Sequence, residues 1–238
     1  MRSAVMVSTR NLYPDLGPPI KALLVNSDVE KIYLLLEDDD PGVELPPECK
    51  ILNVSDWARY WKRSPNATSG WTYIVLMRAL FHRLIPEDRV LSLDLDAFVL
   101  KDVSDLWRMD MRGKLVAGVR ETTPLDSPQL PYFNMGFVML NLDYLRSSGA
   151  GDEIARALMN RYLEYPEQHA YNYICSGSVL WLPREFNAGI GTEPYGDPVV
   201  RHFMAESKTY RDSEIYKHFR DLPWSEVRAE RNIKEDKT

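Results

Sequence analysis

The sequence predicts an α/β protein, and three observations carry that prediction. Short apolar runs of strand length recur along the first half of the chain. Helical apolar stripes alternate with them. One of the runs, Val90 to Leu93, ends directly in acidic residues rather than in a turn cluster.

Ala4 to Val7 is a first strand that feeds the polar loop Ser8-Thr9-Arg10-Asn11. Ile20 to Val25 reads as a helix, and Pro18 and Pro19 suit its start, where no backbone N–H is needed. Lys31 to Leu36 is a buried-strand pattern, the acidic and Pro-rich stretch 37–47 is a surface loop, and Ile51 to Val54 is another strand. From Trp71 to Leu84 the apolar residues Ile74, Leu76, Met77, Leu80, Phe81 and Leu84 form one helical face, with His82 expected on the exposed side. Val90 to Leu93, Leu115 to Val119 and Phe137 to Leu142 are further strands. Ile154 to Tyr165 and Ala170 to Cys175 are helices, and Val179 to Leu182 and Val199 to Phe203 are short strands. The charged end 226–238 is a helix or a frayed tail.

Composition bounds the function. The chain has 238 residues, 45% of them hydrophobic, which suffices for one large domain or two small ones. A formal net charge of -6 argues against nucleic acid as a partner. Cys49 and Cys175 match no metal-ligand spacing and read as reduced thiols of a cytoplasmic protein. The opening residues do not read as a signal peptide, and no apolar run approaches the ~20 residues that span a bilayer. The triplets at Asn53 and Asn66 match the glycosylation pattern by chance on this reading.

The chemistry starts at Asp94 and Asp96. Carboxylates at i and i+2 of an extended chain point to one side, so both reach a single cation. A divalent ion between them relieves their repulsion. Sites in open α/β sheets lie beyond the carboxyl ends of the strands, where this pair falls. The bland alternative is a pair of acids that ends a strand and caps a turn.

Four blocks, in order, resemble glycosyltransferase family 8, the group of glycogenin and the bacterial lipooligosaccharide galactosyltransferases. They are Arg78 with Leu80, Leu84, Ile85 and Pro86 leading into 88–96; Tyr132-Phe-Asn-Met-Gly-Phe-Val-Met-Leu-Asn-Leu142; Glu167-Gln168-His169 with Asn172; and His202 followed six positions later by Lys208. The resemblance covers about residues 4–210 and implies a GT-A-type nucleotide-diphospho-sugar transferase fold, a mixed central sheet flanked by helices. Residues 211–238 then form a charged helical tail.

The resemblance implies a retaining hexosyltransferase that moves glucose or galactose from a UDP-sugar to a hydroxyl of a glycan, lipid or protein. Asp94, Asp96 and His202 would hold Mn2+, with Mg2+ as the second candidate. Arg78 and Lys208 would assist the leaving group. Gln168 would face the anomeric carbon with its carbonyl oxygen, and Glu167, Glu121 and Asn134 would bind sugar hydroxyls, with Gly136 in a close turn. Thr9, Asn11 and Tyr13 would hold the base.

The sequence departs from the family at Ser8 and Thr9, where an acidic residue is usual. It departs also at Glu167 and His169 for two aspartates, at Ala205 for a glycine, and at Thr209-Tyr210 for Pro-Trp. Two rivals are a non-catalytic nucleotide-sugar-binding protein and a haloacid-dehalogenase-type phosphohydrolase. The second usually has Thr or Val where this chain has Phe98.

Overall fold

The structure is a computed structural model and describes residues 1–68, 73–121, 131–189, 197–204 and 210–235. In chain order the elements are β1 (Ser3–Val7), α1 (Gly17–Val25), β2 (Lys31–Leu36), β3 (Cys49–Asn53), α2 (Trp57–Trp61), α3 (Phe81–Leu84), β4 (Arg89–Leu93), β5 (Ala97–Val99), β6 (Val116–Arg120), β7 (Phe133–Asn141), α4 (Leu142–Ser147), α5 (Ala150–Asn160), α6 (Pro166–Cys175), β8 (Val179–Leu182), β9 (Val200–His202), α7 (Glu214–Asp221) and α8 (Trp224–Glu235).

Seven strands form one mixed sheet in the order β3-β2-β1-β4-β7-β6-β8. Strands β1 to β4 run parallel, β7 runs against both β4 and β6, and β8 is parallel to β6. The carboxyl ends of β1, β2, β4 and β6 therefore share one edge of the sheet with the amino end of β7. A separate two-stranded antiparallel ribbon, β5 with β9, stands at that edge.

Period-2 alternation sorts the inner strands onto two buried faces. Ala4, Met6, Ile32, Leu34, Leu91 and Leu93 join the core that includes α1, while Val5, Val7, Tyr33, Leu35 and Val90 join the core under the other helices. Both faces are covered, which explains why the strands read as continuous apolar runs. Among the described residues, no helix is long and apolar enough to cross a membrane. Cys49 and Cys175 are free thiols.

Several boundaries differ from expectation for identifiable reasons. The helix expected over Ile154 to Tyr165 begins at Ala150 and stops at Asn160. Buried Asn66 takes its end: the amide donates to Leu158 O and Arg161 O, each at 2.8 Å, and its oxygen accepts from Leu163 N at 2.8 Å. Asn66 is thus a helix stop, with no exposed amide to modify. The stripe expected from Trp71 is a 3-10 helix over Tyr73–Leu80 followed by the single turn α3, and residues 71 and 72 lie outside the described residues. Aromatic and β-branched Tyr73, Ile74 and Val75 are weak α-formers. His82 is buried, not exposed: its ring lies under Gly151, where a Cβ would sit 2.5 Å from it, and Nε2 meets Asp152 Oδ1 at 2.9 Å. Asn134 and Gly136 lie inside β7 rather than in a turn. Strand β5 and helices α2 and α4 were not expected; they are short elements below the length at which periodicity speaks.

The C-terminal segment packs against α1. Tyr216, Phe219, Leu222 and Val227 join the core that contains Ile20, Leu23 and Leu24. Buried Asp15 anchors it, accepting from Arg211 and, at 2.7 Å, from the Tyr216 hydroxyl. Burial works to raise the Asp15 carboxyl, but hydrogen bonds from Arg211, Tyr216 and Tyr210 outweigh it and hold the group below its ordinary range. Asp15→Ala should cost about 1–3 kcal/mol by stranding these donors, a melting-point drop of about 2–4 °C per kcal/mol for a chain of this size. A carboxyl depressed in the folded state stabilises above its unfolded value of about 3.9 and loses that effect as pH falls through the folded value. The wild-type and Asp15→Ala melting curves should therefore converge only at acid pH. Equal melting points at neutral pH would disprove the anchor.

Candidate active site

Strand β4 ends at Leu93, and the next backbone N–H, that of Asp94, donates to Gly136 O at 2.9 Å. This last rung of β4 against β7 fixes where the acidic turn starts. Asp94, Leu95 and Asp96 then lead into β5, whose Ala97 pairs with His202 of β9. Phe203 N donates to Asp96 O at 3.0 Å and closes the ribbon beside the acids. Residues far apart in sequence are thereby brought to one point.

His202 Nε2 lies 3.5 Å from Asp94 Oδ2 and 3.3 Å from Asp96 Oδ1. One ligand atom from each of the three residues lies within 4.8 Å of the others. Atoms sharing a cation at about 2.0–2.3 Å are themselves a few ångströms apart, so two carboxylates and one imidazole fit a divalent ion of mixed oxygen and nitrogen preference. His202 is buried, while both carboxylates retain some exposure. Burial works against a charge on His202, yet Asp96 and Asp94 prevail and raise it to about 9. A cation at this site would displace that proton.

Buried Arg78 stands behind the acids. Its Nη2 pairs with Asp94 Oδ1, and its Nη1 donates to Met135 O at 3.0 Å. Burial would raise the Asp94 carboxyl, but Arg78 and His202 together hold it well below the usual carboxylate range.

The expected sugar-binding residues meet on the same edge. Gln168 Nε2 donates to Glu121 Oε2 at 3.0 Å, and Gln168 Oε1 accepts from Met135 N at 2.9 Å. Asn134 Nδ2 lies 3.5 Å from the same Glu121 oxygen. The Gln168 carbonyl, expected toward the anomeric carbon, is thus tied to β7. Glu167 is pushed up to about 7, mainly by burial, with Arg78 opposing and Asp94 adding to the shift. His169 sits in an aromatic set: it stacks on Tyr165 at 5.5 Å, with Tyr132 and Tyr173 edge-on.

After β1, Thr9 Oγ1 donates to Asn11 Oδ1 at 2.6 Å. Tyr13 is buried in the core, and its hydroxyl accepts from Glu37 N at 2.8 Å and donates to Asp38 at 3.2 Å. Its ring packs in the core. Lys208 and Ala205 lie outside the described residues.

Sequence reasoning missed Asn187. It is buried, with Oδ1 2.8 Å from His202 Nδ1 and Nδ2 3.1 Å from Asn134 Oδ1. Only its place, in Arg184–Asn187 one residue, Pro183, after β8, could have drawn notice. A Cβ at Gly136 would sit 2.0 Å from the His202 ring, so the missing side chain there makes room for the histidine. Beyond His202, Met204 adopts φ 38°, a left-handed conformation costly for such a side chain.

Comparison with known proteins agrees with this geometry. The family description "Glycosyl transferase family 8" matches residues 25–215. The lipopolysaccharide 1,2-glucosyltransferase of Escherichia coli K12 is 31% identical over 134 residues, which are 50% of this chain and 40% of that protein. Glycosyltransferase GlyF of Streptococcus pneumoniae is 21% identical over 262 residues, 98% of this chain and 65% of that one. The chain thus spans less than two thirds of these relatives. Among solved structures, galactosyltransferase LgtC in complex with donor and acceptor sugar analogues superposes with a TM-score of 0.65 at 15% identity, covering 96% of this chain and 99% of that one. Glycosyltransferase GlyE of Streptococcus pneumoniae gives 0.73 at 19% identity, covering 98% and 64%. The fold is GT-A, which sets aside the phosphohydrolase reading. With the family match running through the acidic turn, β7, α6 and His202, the chain belongs to glycosyl transferase family 8.

Proposed function

We propose that the protein is a retaining hexosyltransferase that moves glucose or galactose from a UDP-sugar to a hydroxyl of a glycan, lipid or protein. The observation that carries this reading is the convergence of Asp94, Asp96 and His202 in a chain of this family. Mn2+ is the ion this donor set suits, and when bound it supplies Lewis acidity to the diphosphate and orients it. The free thiols at Cys49 and Cys175 fit a reducing, cytoplasmic setting.

The side chains divide the remaining work. Arg78 neutralises one oxygen of Asp94 and leaves the other toward His202. Glu121, Gln168 and Asn134 form a wall of acceptors and amide donors, as a polyhydroxylated ring requires. Glu167, next to that wall on α6, adds a carboxylate to the same pocket in this reading. Thr9 and Asn11 open the base site at the end of β1. Lys208 offsets charge on the departing diphosphate; its support is the six-residue interval from His202.

The test is UDP release from UDP-glucose and UDP-galactose, with and without Mn2+, which needs no knowledge of the acceptor, followed by NMR of any glycosylated product. Release should require the cation and stop with EDTA. Binding of UDP-sugar without any release would favour a non-catalytic binding protein. Asp94→Asn, Asp96→Asn and His202→Ala should each weaken Mn2+ binding and lower turnover by about 100-fold or more, with circular dichroism unchanged. EDTA-insensitive turnover would overturn the metal assignment.

Gly136→Ala gives a steric version of the same test. Its new methyl must displace the His202 ring, so Mn2+ affinity measured by calorimetry should fall by about tenfold or more. Wild-type affinity in that variant would show that His202 does not need its observed position.

A further inference from the structure

A histidine holds a divalent cation through a ring nitrogen that carries no proton, and the other nitrogen then carries it. Which nitrogen is free depends on what faces each. In His202, Nε2 faces Asp94 and Asp96 at 3.5 and 3.3 Å, and Nδ1 lies 2.8 Å from Asn187.

An amide side chain can be turned end for end, so its oxygen needs an independent anchor. The backbone provides one. Gly136 N–H can only donate, and it lies 2.8 Å from the Asn134 side chain, so the atom it meets is the Asn134 oxygen. The Asn134 amide nitrogen then falls toward the Glu121 carboxylate, as its charge requires. Asn187 approaches the same Asn134 oxygen at 3.1 Å. Two oxygens would repel there, so Asn187 must present its NH2 group. Its own oxygen therefore faces His202 Nδ1, which must carry the proton. In the neutral ring that a cation binds, the lone pair of Nε2 is then left pointing at the acidic pair.

Asn187 is well held for this task. It is 3% exposed. The residue after it, Ala188, donates to Val200 O at 2.9 Å and accepts from His202 N at 2.7 Å. The amide thus rides on backbone already bonded to the strand that bears His202.

We propose that Asn187 is a positioning residue that holds His202 as the Nδ1–H tautomer, presents Nε2 to the cation, and ties that ligand to Asn134 in the sugar pocket. The inference rests on the metal reading above. It assigns a double role: the amide oxygen serves the cation site, and the amide nitrogen serves the sugar site by saturating the Asn134 oxygen and keeping the Asn134 NH2 group turned to the Glu121 side of the pocket.

Two substitutions separate these ends. Asn187→Ala removes both, and Mn2+ affinity, read from the free-ion electron paramagnetic resonance signal, should fall about 10–100-fold. Asn187→Asp keeps an oxygen for the Nδ1 proton but has nothing to donate to Asn134. It should retain Mn2+ affinity within about threefold, because the hydrogen bond to His202 survives. Binding of UDP-glucose or UDP-galactose to the Mn2+-loaded Asn187→Asp protein should weaken about fivefold or more, the effect of one lost hydrogen bond. Equal Mn2+ affinity in wild type and folded Asn187→Ala would overturn the proposal. So would an Asn187→Asp protein that loses Mn2+ as severely as Asn187→Ala, because that would mark packing rather than tautomer control. Should Asn187→Ala fail to fold, the near-isosteric Asn187→Asp decides alone, through retained or lost Mn2+ binding. A wild-type protein with no Mn2+ affinity would refute the metal reading itself, whereas wild-type binding with no effect of Asn187→Ala refutes only the role of Asn187.

Discussion

The charge balance at the end of β4 governs the arrangement around it. Asp94 and Asp96 share one turn with a buried imidazole, and two like charges about 4 Å apart repel by about 4 kcal/mol at an effective dielectric of 20. Arg78 answers this from inside the protein. It is fully sequestered, pairs with Asp94, and spends a second nitrogen on the Met135 carbonyl. A guanidinium suits the position better than an ammonium, since its planar fork reaches a carboxylate and a carbonyl at once and stays charged when buried. Its own backbone is fixed in turn, because the Tyr171 hydroxyl of α6 donates to Arg78 O at 2.9 Å. The acidic turn, the 3-10 segment and α6 are thus locked to one another through a single cation.

The parts of this design that were legible in the sequence are those set by short-range pattern. Lys31–Leu36 could be read residue for residue because both faces of β2 are buried and every residue after Lys31 is uncharged and packs in one core or the other. The acidic pair declared itself by following such a run. Less was legible where one side chain overrides a pattern. Asn66 ends α5 from nearly a hundred positions away, and Gly151 makes room for His82 in what looked like the exposed side of a helix. Asn187 was invisible for the same reason: its two partners, Asn134 and His202, come from different strands. His169 was readable as a departure from the family pattern but not as a member of an aromatic set, because Tyr132, Tyr165 and Tyr173 come together only when α6 lies against β7.

The amino end of β7 shows why site residues and fold residues coincide here. Pairing with β4 stops at Leu93 opposite Phe137, so the strand continues past its neighbour with backbone groups that need partners. Side chains take the place of the missing strand. Asn172 donates to and accepts from the Phe133 backbone, both at 2.8 Å. Gln168 accepts from Met135 N, Arg78 donates to Met135 O, and the Asn134 side-chain oxygen accepts from Gly136 N. The sheet edge therefore positions Gln168 and Arg78 as a by-product of satisfying its own hydrogen bonds. The arrangement runs in the other direction as well. A side chain that must serve the backbone in one place is held to a single rotamer, so the groups it has left over, the Gln168 amide toward Glu121 and the Arg78 fork toward Asp94, point where they do without further support. Rigid placement of polar groups before the substrate arrives is what lowers a barrier through fixed dipoles, and in this fold that rigidity originates in a strand one neighbour short.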